Sequence, residues 1–218
     1  MTDIGLRAVN DFDCPPFIDA SCRREPDFES EFPSITALCR QEKFAPILFP
    51  NDIVVYITVK GKWLTDYDHY RLISILVVTE KKESHLQGAA WYRSKNIPLP
   101  SNCMVDDNYP FEFHETAGNY EKKSDINKFL NYDIEKQKQI GKRRIEIWNG
   151  EYLNKSKKWG DFVITKPIFR ELYNPPILTD DDMKKIFGKV PNTRNPNKIK
   201  KEELKELAKY ADINFNYE

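Results

Sequence analysis

Glycine, cysteine and histidine are scarce in this chain of 218 residues, with eight, four and three copies. The common catalytic and phosphate-binding motifs GxxxxGK[ST], GxGxxG, HExxH and GxSxG are all missing from the sequence. A Ser-His-Asp site would have to use one of three bases, His69, His85 or His114. The cysteines form no CxxC pair, which excludes a zinc ribbon and a thioredoxin-like motif; they are Cys14, Cys22, Cys39 and Cys103.

Long apolar runs are also missing, and none approaches the roughly 20 residues that are needed to cross a bilayer. The first residues, MTDIG, show neither the basic segment nor the apolar segment that opens a secretory signal. We therefore expect a cytoplasmic protein with reduced cysteines and no membrane association. The length suits one large domain, or one domain with an appendage.

The formal net charge is zero, but the charge is unevenly distributed. Residues 1–50 contain five Lys or Arg and nine Asp or Glu, a net charge of −4. Residues 121–158 contain eleven Lys or Arg and six Asp or Glu, a net charge of +5. A basic segment with interspersed aromatic residues can bind a polyanion, although such a segment is more often only a solvated face.

Two β-branched runs predict neighbouring strands, DIVVYITVKG at 52–61 and YRLISILVVTEKK at 70–82. The connection between them is short and polar, so they are expected to pair antiparallel. Positions 72–78 are apolar almost throughout, which is typical of a strand buried on both faces or in a closed barrel. In the proline-rich segment upstream, SITALCR at 34–40 is interpreted as a short helix with Ser34 as its N-cap.

A helix of about three turns is predicted after the second strand, in HLQGAAWYRSK at 85–95. Ser84 followed by Gln87 is a capping-box pattern, and Asn96 with the prolines beyond it ends the helix. The residues expected to share one face of this helix are Leu86, Ala89, Ala90 and Arg93.

The C-terminal half predicts a helix at 123–142, a hairpin at 143–153 that turns at Asn149-Gly150, and a strand at 159–169. Thr179 and Asp182 form a capping box for a further helix, and a Lys/Glu-rich amphipathic helix follows at 195–213. This order predicts an α+β fold, a small curved sheet or pseudo-barrel with peripheral helices. We expect residues 1–178 to form the main domain with a loop-rich N-terminal segment, and residues 179–218 a helical appendage.

Aromatic, amide and basic side chains lie close in sequence to the strand pair and its helix. Trp63, Trp91 and Tyr92 could stack a flat ring, and Asn102 could recognise a base edge through its amide. The candidate phosphate contacts are Arg23, Arg24, Arg40 and Arg93. The ordinary alternative is that Trp91 belongs to the core and that the arginines pair with nearby acidic residues.

A thiol or metal site is a second interpretation of the same region. Cys22, Cys39, His85 and Cys103 come from different elements and could hold zinc, which accepts thiolate and neutral imidazole ligands. One of the cysteines could instead act as a nucleophile beside His85. The spacings match no compact zinc motif, and cysteine is commonly a small buried hydrophobe. We therefore predict no metal and no cofactor.

The run NDIVVYITVKG, YRLISILVV and SHLQGAAWYR resembles the strand–strand–helix centre of the PUA-like superfamily, which includes EVE, ASCH and YTH domains. With CRREPD, LCRQEKFAP and LPSNCMV added, residues 20–105 are similar to bacterial proteins grouped as nucleotide modification associated domains. The resemblance implies a concave pocket that receives a base, often a modified one, flipped out of nucleic acid. It implies base contacts from Trp63, Trp91, Tyr92 and Asn102, and backbone contacts from Arg23, Arg24 and Arg40.

The sequence thus predicts a nucleic-acid-binding module that recognises a modified or flipped base, with DNA as the favoured partner, in DNA modification or restriction. The alternative is an enzyme that acts on a base or nucleotide through the Cys/His groups. A third interpretation is a scaffold whose C-terminal Lys/Glu helix docks a protein partner.

Overall fold

A computed structural model describes residues 21–38, 40–63, 65–112, 131–192 and 196–213. In that part of the chain the strands are β1 (Ser34–Thr36), β2 (Ile53–Ile57), β3 (Tyr70–Lys82), β4 (Phe162–Arg170) and β5 (Ile177–Leu178). The helices are α1 (His85–Ser94), α2 (Ile134–Lys158), α3 (Asp180–Phe187) and α4 (Lys201–Tyr210), with 3₁₀ turns at Gln41–Lys43 and Ala45–Ile47.

The strands form one antiparallel sheet in the order β1-β4-β3-β2, and β5 pairs with the start of β3. The central strand β3 is thirteen residues long, and its first seven residues are buried. Its register with β4 shifts twice, and such bulges increase the local twist of a sheet. The sheet is therefore curled into a half-barrel, which confirms the predicted α+β class with a curved sheet and helices.

The predicted strand pair and the helix after it are confirmed as β2, β3 and α1. The hydroxyl of Ser84 caps α1 by accepting a hydrogen bond from the amide of Gln87, and Asn96 follows the helix with a φ of 58°. Of the four residues expected to share one face, Ala89 is buried, whereas Leu86 is 68% exposed. The buried residues of α1 are His85, Gly88, Ala89 and Tyr92.

Two further predictions were wrong. Residues 34–36 form a strand instead of the start of a helix, because their backbone pairs with Phe162–Ile164 of β4. Residues 143–153 form no hairpin, because they lie inside the 25-residue helix α2. The Asn149-Gly150 pair there is helical. Residues 123–130 of the helix predicted at 123–142 lie outside the described residues. In the described part of this segment, α2 begins at Ile134.

The two C-terminal helices share a hydrophobic cluster with the sheet. Its buried members are Tyr70, Leu72, Ile75, Leu178, Met183, Ile186, Leu204 and Leu207. The cluster thus includes residues on both sides of residue 178. The apolar face of α4 contributes Leu204 and Leu207 to this cluster.

Candidate nucleic-acid interface

The aromatic side chains predicted to bind a base differ in their exposure. Trp63 and Tyr92 are both 0% exposed. Trp63 donates from Nε1 to the carbonyl of Val59 at 2.7 Å, and the hydroxyl of Tyr92 donates to the carbonyl of Phe32. Trp91 is half-buried, and its Nε1 donates to the carboxylate of Glu80 at 2.6 Å. Of these three rings, only that of Trp91 is partly accessible.

The two tryptophans lie at opposite ends of β3. The carbonyl of Trp63 accepts a hydrogen bond from Arg71 at 2.8 Å, near the start of the strand. Trp91 is held by Glu80, near its end. Arg71 and Glu80 are nine residue steps apart, which corresponds to roughly 30 Å of strand length. Trp63 and Trp91 therefore do not form one aromatic cage in this structure.

Asn102 is 0% exposed, and its amide is fully engaged. Its Nδ2 donates to the carboxylate of Glu25 at 3.0 Å and to the carbonyl of Ser34 at 2.9 Å, while its Oδ1 accepts from the hydroxyl of Ser34. These bonds join the loop after α1 to β1 and to the N-terminal segment. The amide thus fixes the loop, and no base edge can reach it without these bonds breaking.

The four candidate phosphate contacts differ in their exposure and in their partners. Arg23 is 2% exposed, and its burial lowers the pKa of its guanidinium. Arg24 pairs with Glu29 and lies over the ring of Phe111. Arg40 and Arg93 are exposed, but Arg93 already donates to both carboxylate oxygens of Asp107 at 2.6 Å. Arg23 is thus buried, while Arg24 and Arg93 are already paired with carboxylates.

The His85 and Cys103 side chains are both buried beside α1. The Nδ1 of His85 accepts a hydrogen bond from the amide of Met104 at 3.0 Å, and the thiol of Cys103 donates to the carbonyl of His85 at 3.5 Å. Burial raises the pKa of the Cys103 thiol to about 12, so the thiol stays protonated and is a poor nucleophile. Cys39 lies outside the described residues.

No three His, Cys, Asp or Glu side chains among the described residues come close enough to hold a metal ion together. Within the same residues, every helix is too short or too polar to span a membrane.

The strongest concentration of positive charge is the long helix α2. It has eight Lys or Arg and three Glu, a net charge of +5, while the whole chain is neutral. At 100° per residue, one stripe of the helix points away from the protein. It consists of Lys136, Arg143, Ile147, Gly150, Asn154, Lys157 and Lys158, all exposed except the half-exposed glycine.

The cations of this outward stripe are not neutralised by the described part of the protein. Lys136, Arg143, Lys157 and Lys158 form no ion pair with a described carboxylate. Lys136 and Lys158 each lie beside an aromatic ring, over Tyr132 and Trp159, with their side chains still exposed. The stripe can therefore receive anionic groups from outside.

The opposite face of α2 is held by polar contacts. Arg23 donates from Nε to Oδ1 of Asn149 at 3.0 Å, and the hydroxyls of Ser21 and Tyr152 share a hydrogen bond of 2.7 Å. The other two nitrogens of Arg23 donate to the carbonyls of Ser101 and Asn108. Arg23 thus anchors the basic helix to the loop that follows α1.

The positive charge of residues 121–158 is visible in the sequence, but the phosphate contacts were predicted at Arg23, Arg24, Arg40 and Arg93. The hairpin predicted at 143–153 also divided the segment that forms α2. Family models, curated proteins and solved structures were each compared with this chain, and none of them matches it. The family resemblance stated above therefore stays a prediction, and the observations on function are those of the chain itself.

Proposed function

We propose that this protein is a DNA-binding module that recognises a modified base, and that the outward stripe of α2 supplies its phosphate contacts. The observation that carries the proposal is the net charge of +5 on one exposed helix of an otherwise acidic chain. Lys and Arg that neutralise phosphates release condensed counterions, and this release provides most of the sequence-independent affinity for nucleic acid.

The charge outside α2 supports one orientation of binding. Because the whole chain is neutral, the remaining residues carry a net charge of −5. Phosphates repel that surface and attract α2, so the protein would approach a polyanion with this helix first. A chain with uniformly distributed charge would have no such preference.

The recognition of a flipped base is the less supported version of the proposal. A flipped base needs an accessible ring on which to stack. Trp63 and Tyr92 have no exposed surface, and Trp91 is the only predicted stacking residue with part of its ring accessible. A modified base that stays in the duplex needs no such ring.

The test is a fluorescence anisotropy titration with labelled duplex DNA at about 50 mM and about 200 mM salt. Duplexes with unmodified cytosine, with 5-methylcytosine and with thymine are compared. The proposal expects the logarithm of the affinity to fall linearly with the logarithm of the salt concentration. It also expects tighter binding to the duplex with 5-methylcytosine than to the duplex with unmodified cytosine. An absence of binding to every duplex at the lower salt concentration would contradict it.

A further inference from the structure

We infer that α2 lies in the major groove of duplex DNA, with the cations near its two ends on the phosphate backbones and the uncharged stripe residues Ile147, Gly150 and Asn154 facing the base edges. This inference rests on the proposed function and gives it a specific geometry. It also assigns the modified base to the groove surface, where a substituent on C5 of a pyrimidine is exposed without flipping.

The cations of the outward stripe lie towards the two ends of α2. Lys136 and Arg143 lie at one end, and Lys157 and Lys158 at the other. Between Arg143 and Lys157 the helix advances about 21 Å. The major groove is about 12 Å wide, so flexible cationic side chains at both ends can reach the two backbones that border it.

The middle of the helix has a different character. Ile147 is 53% exposed and Asn154 is exposed, while Glu146 and Glu151 flank them. Carboxylates in this position would be repelled by a phosphate backbone that ran along the whole helix. They are tolerated when the middle faces base edges, where a carboxylate can accept from the amino group of cytosine.

Gly150 lies on the outward stripe, between its two groups of cations. A Cβ built at this position would meet no atom of the protein within 4 Å, and the residue does not have a positive φ. Neither internal packing nor backbone conformation therefore requires glycine there. A missing side chain at this point lets a groove floor approach the helix backbone closely.

The side chains beside Gly150 suit base edges. Asparagine can bond an adenine edge in the major groove through its amide, and an exposed apolar side chain can contact the C5-methyl group of thymine. Asn154 and Ile147 lie one turn away from Gly150, on either side of it. A C5-methyl group on cytosine occupies the same place in the groove and would contact Ile147 in the same way.

The geometry selects duplex DNA over other nucleic acids. The major groove of an A-form RNA helix is too deep and narrow for protein side chains to read, and a single strand has no groove. We therefore expect duplex DNA to bind at least tenfold more tightly than an RNA duplex of the same sequence. Single-stranded DNA should bind only through the salt-sensitive phosphate contacts.

The test is Gly150→Gln, compared with Ala90→Gln on the exposed face of α1. Both changes place the same side chain on the outside of a helix, and neither should lower the melting temperature. We expect Gly150→Gln to weaken duplex DNA binding at least tenfold and to leave single-strand binding unchanged. Ala90→Gln should change neither.

The outcomes separate this inference from the function on which it rests. Salt-sensitive binding that is equal for DNA and RNA duplexes, and that Gly150→Gln does not weaken, would overturn the groove geometry while leaving nucleic-acid binding intact. No binding to any nucleic acid would overturn both. If Gly150→Gln unfolds the protein, Ile147→Ala replaces it, with the same expected loss for duplex DNA.

Discussion

Arg23 donates from its Nε to Oδ1 of Asn149 at 3.0 Å, in a site where Arg23 is 2% exposed. This bond links the N-terminal segment to the middle of α2, at a position about 100° around the helix from Gly150. Arg23 was predicted to contact phosphate. In the structure, its guanidinium is buried and joins α2 to the loop that follows α1.

Arg23→Met should lower the free energy of unfolding by roughly 3 kcal/mol, since three acceptors lose their donor in a buried site. These acceptors are the carbonyls of Ser101 and Asn108 and the side chain of Asn149. Urea denaturation measures the change. Arg93→Met is the control, because its exposed pair with Asp107 should be worth less than about 1 kcal/mol. Equal effects of the two changes would contradict the anchoring role.

His85 should make the protein sensitive to acid. Burial, together with the nearby charge of Arg23, lowers its pKa to about 4. Its Nδ1 already accepts a hydrogen bond from Met104, and Nε2 has no partner among the described residues. Because the pKa is lower in the folded protein than in the unfolded chain, stability is lost as the pH falls from about 6.5 to about 4. The loss attributable to His85 is about 3 kcal/mol.

His85→Asn separates this contribution from that of the carboxylates. The amide oxygen of Asn can accept from Met104 but does not titrate. Denaturation curves at pH 7 and pH 4 should show a smaller loss for the variant than for the wild type. Identical pH dependence of the two proteins would show that His85 is not the acid-sensitive group.

Gly88 and Gly150 should respond to alanine in opposite ways. A Cβ at Gly88 would lie 2.6 Å from Cδ1 of Phe162 on β4, so Gly88→Ala should destabilise the fold by about 1–3 kcal/mol. Gly150→Ala meets open space and should stabilise α2 by up to about 1 kcal/mol. Melting temperatures of the two variants give the comparison. Phe162→Leu should partly rescue Gly88→Ala, and a strictly additive double variant would contradict the contact.

Trp91 distinguishes a flipped base from a base read in the groove. Its ring packs edge-on against Phe32 and Tyr92, so Trp91→Ala should lower stability by about 1–2 kcal/mol. If α2 reads the duplex, the affinity for modified duplex DNA should change less than about twofold. Anisotropy titrations at fixed salt measure this. A loss of about tenfold or more, with an unchanged salt slope, would favour base stacking instead.

The strands with strong local signals were predictable from sequence. β3 is apolar over 72–78 and is buried there because it lies between β2 and β4. β1 was not predictable, because three residues become a strand only through pairing with β4, which is 126 residues further along the chain. The capping pair Thr179 and Asp182 needs only local contacts, and the structure confirms it.

The candidate site was harder to predict for a similar reason. Asn149-Gly150 is a strong turn signal by itself, and here it is outweighed by a long helix whose Asn149 is satisfied by Arg23. Likewise, the arginines and Asn102 look free in the sequence because their partners come from distant segments. The net charge of residues 121–158, by contrast, can be counted from the sequence without knowing which residues are in contact.

The most direct test of the account reverses two charges on α2. The double variant Lys136→Glu/Arg143→Glu is compared with Lys201→Glu/Lys205→Glu on α4, which changes the net charge by the same amount. Both are titrated with duplex DNA over a series of salt concentrations. We predict that the α2 variant binds far more weakly and that its salt slope falls by about two, while the α4 variant keeps the wild-type slope. Equal losses in the two variants would show that only net charge matters, and would contradict the assignment of α2 as the nucleic-acid interface.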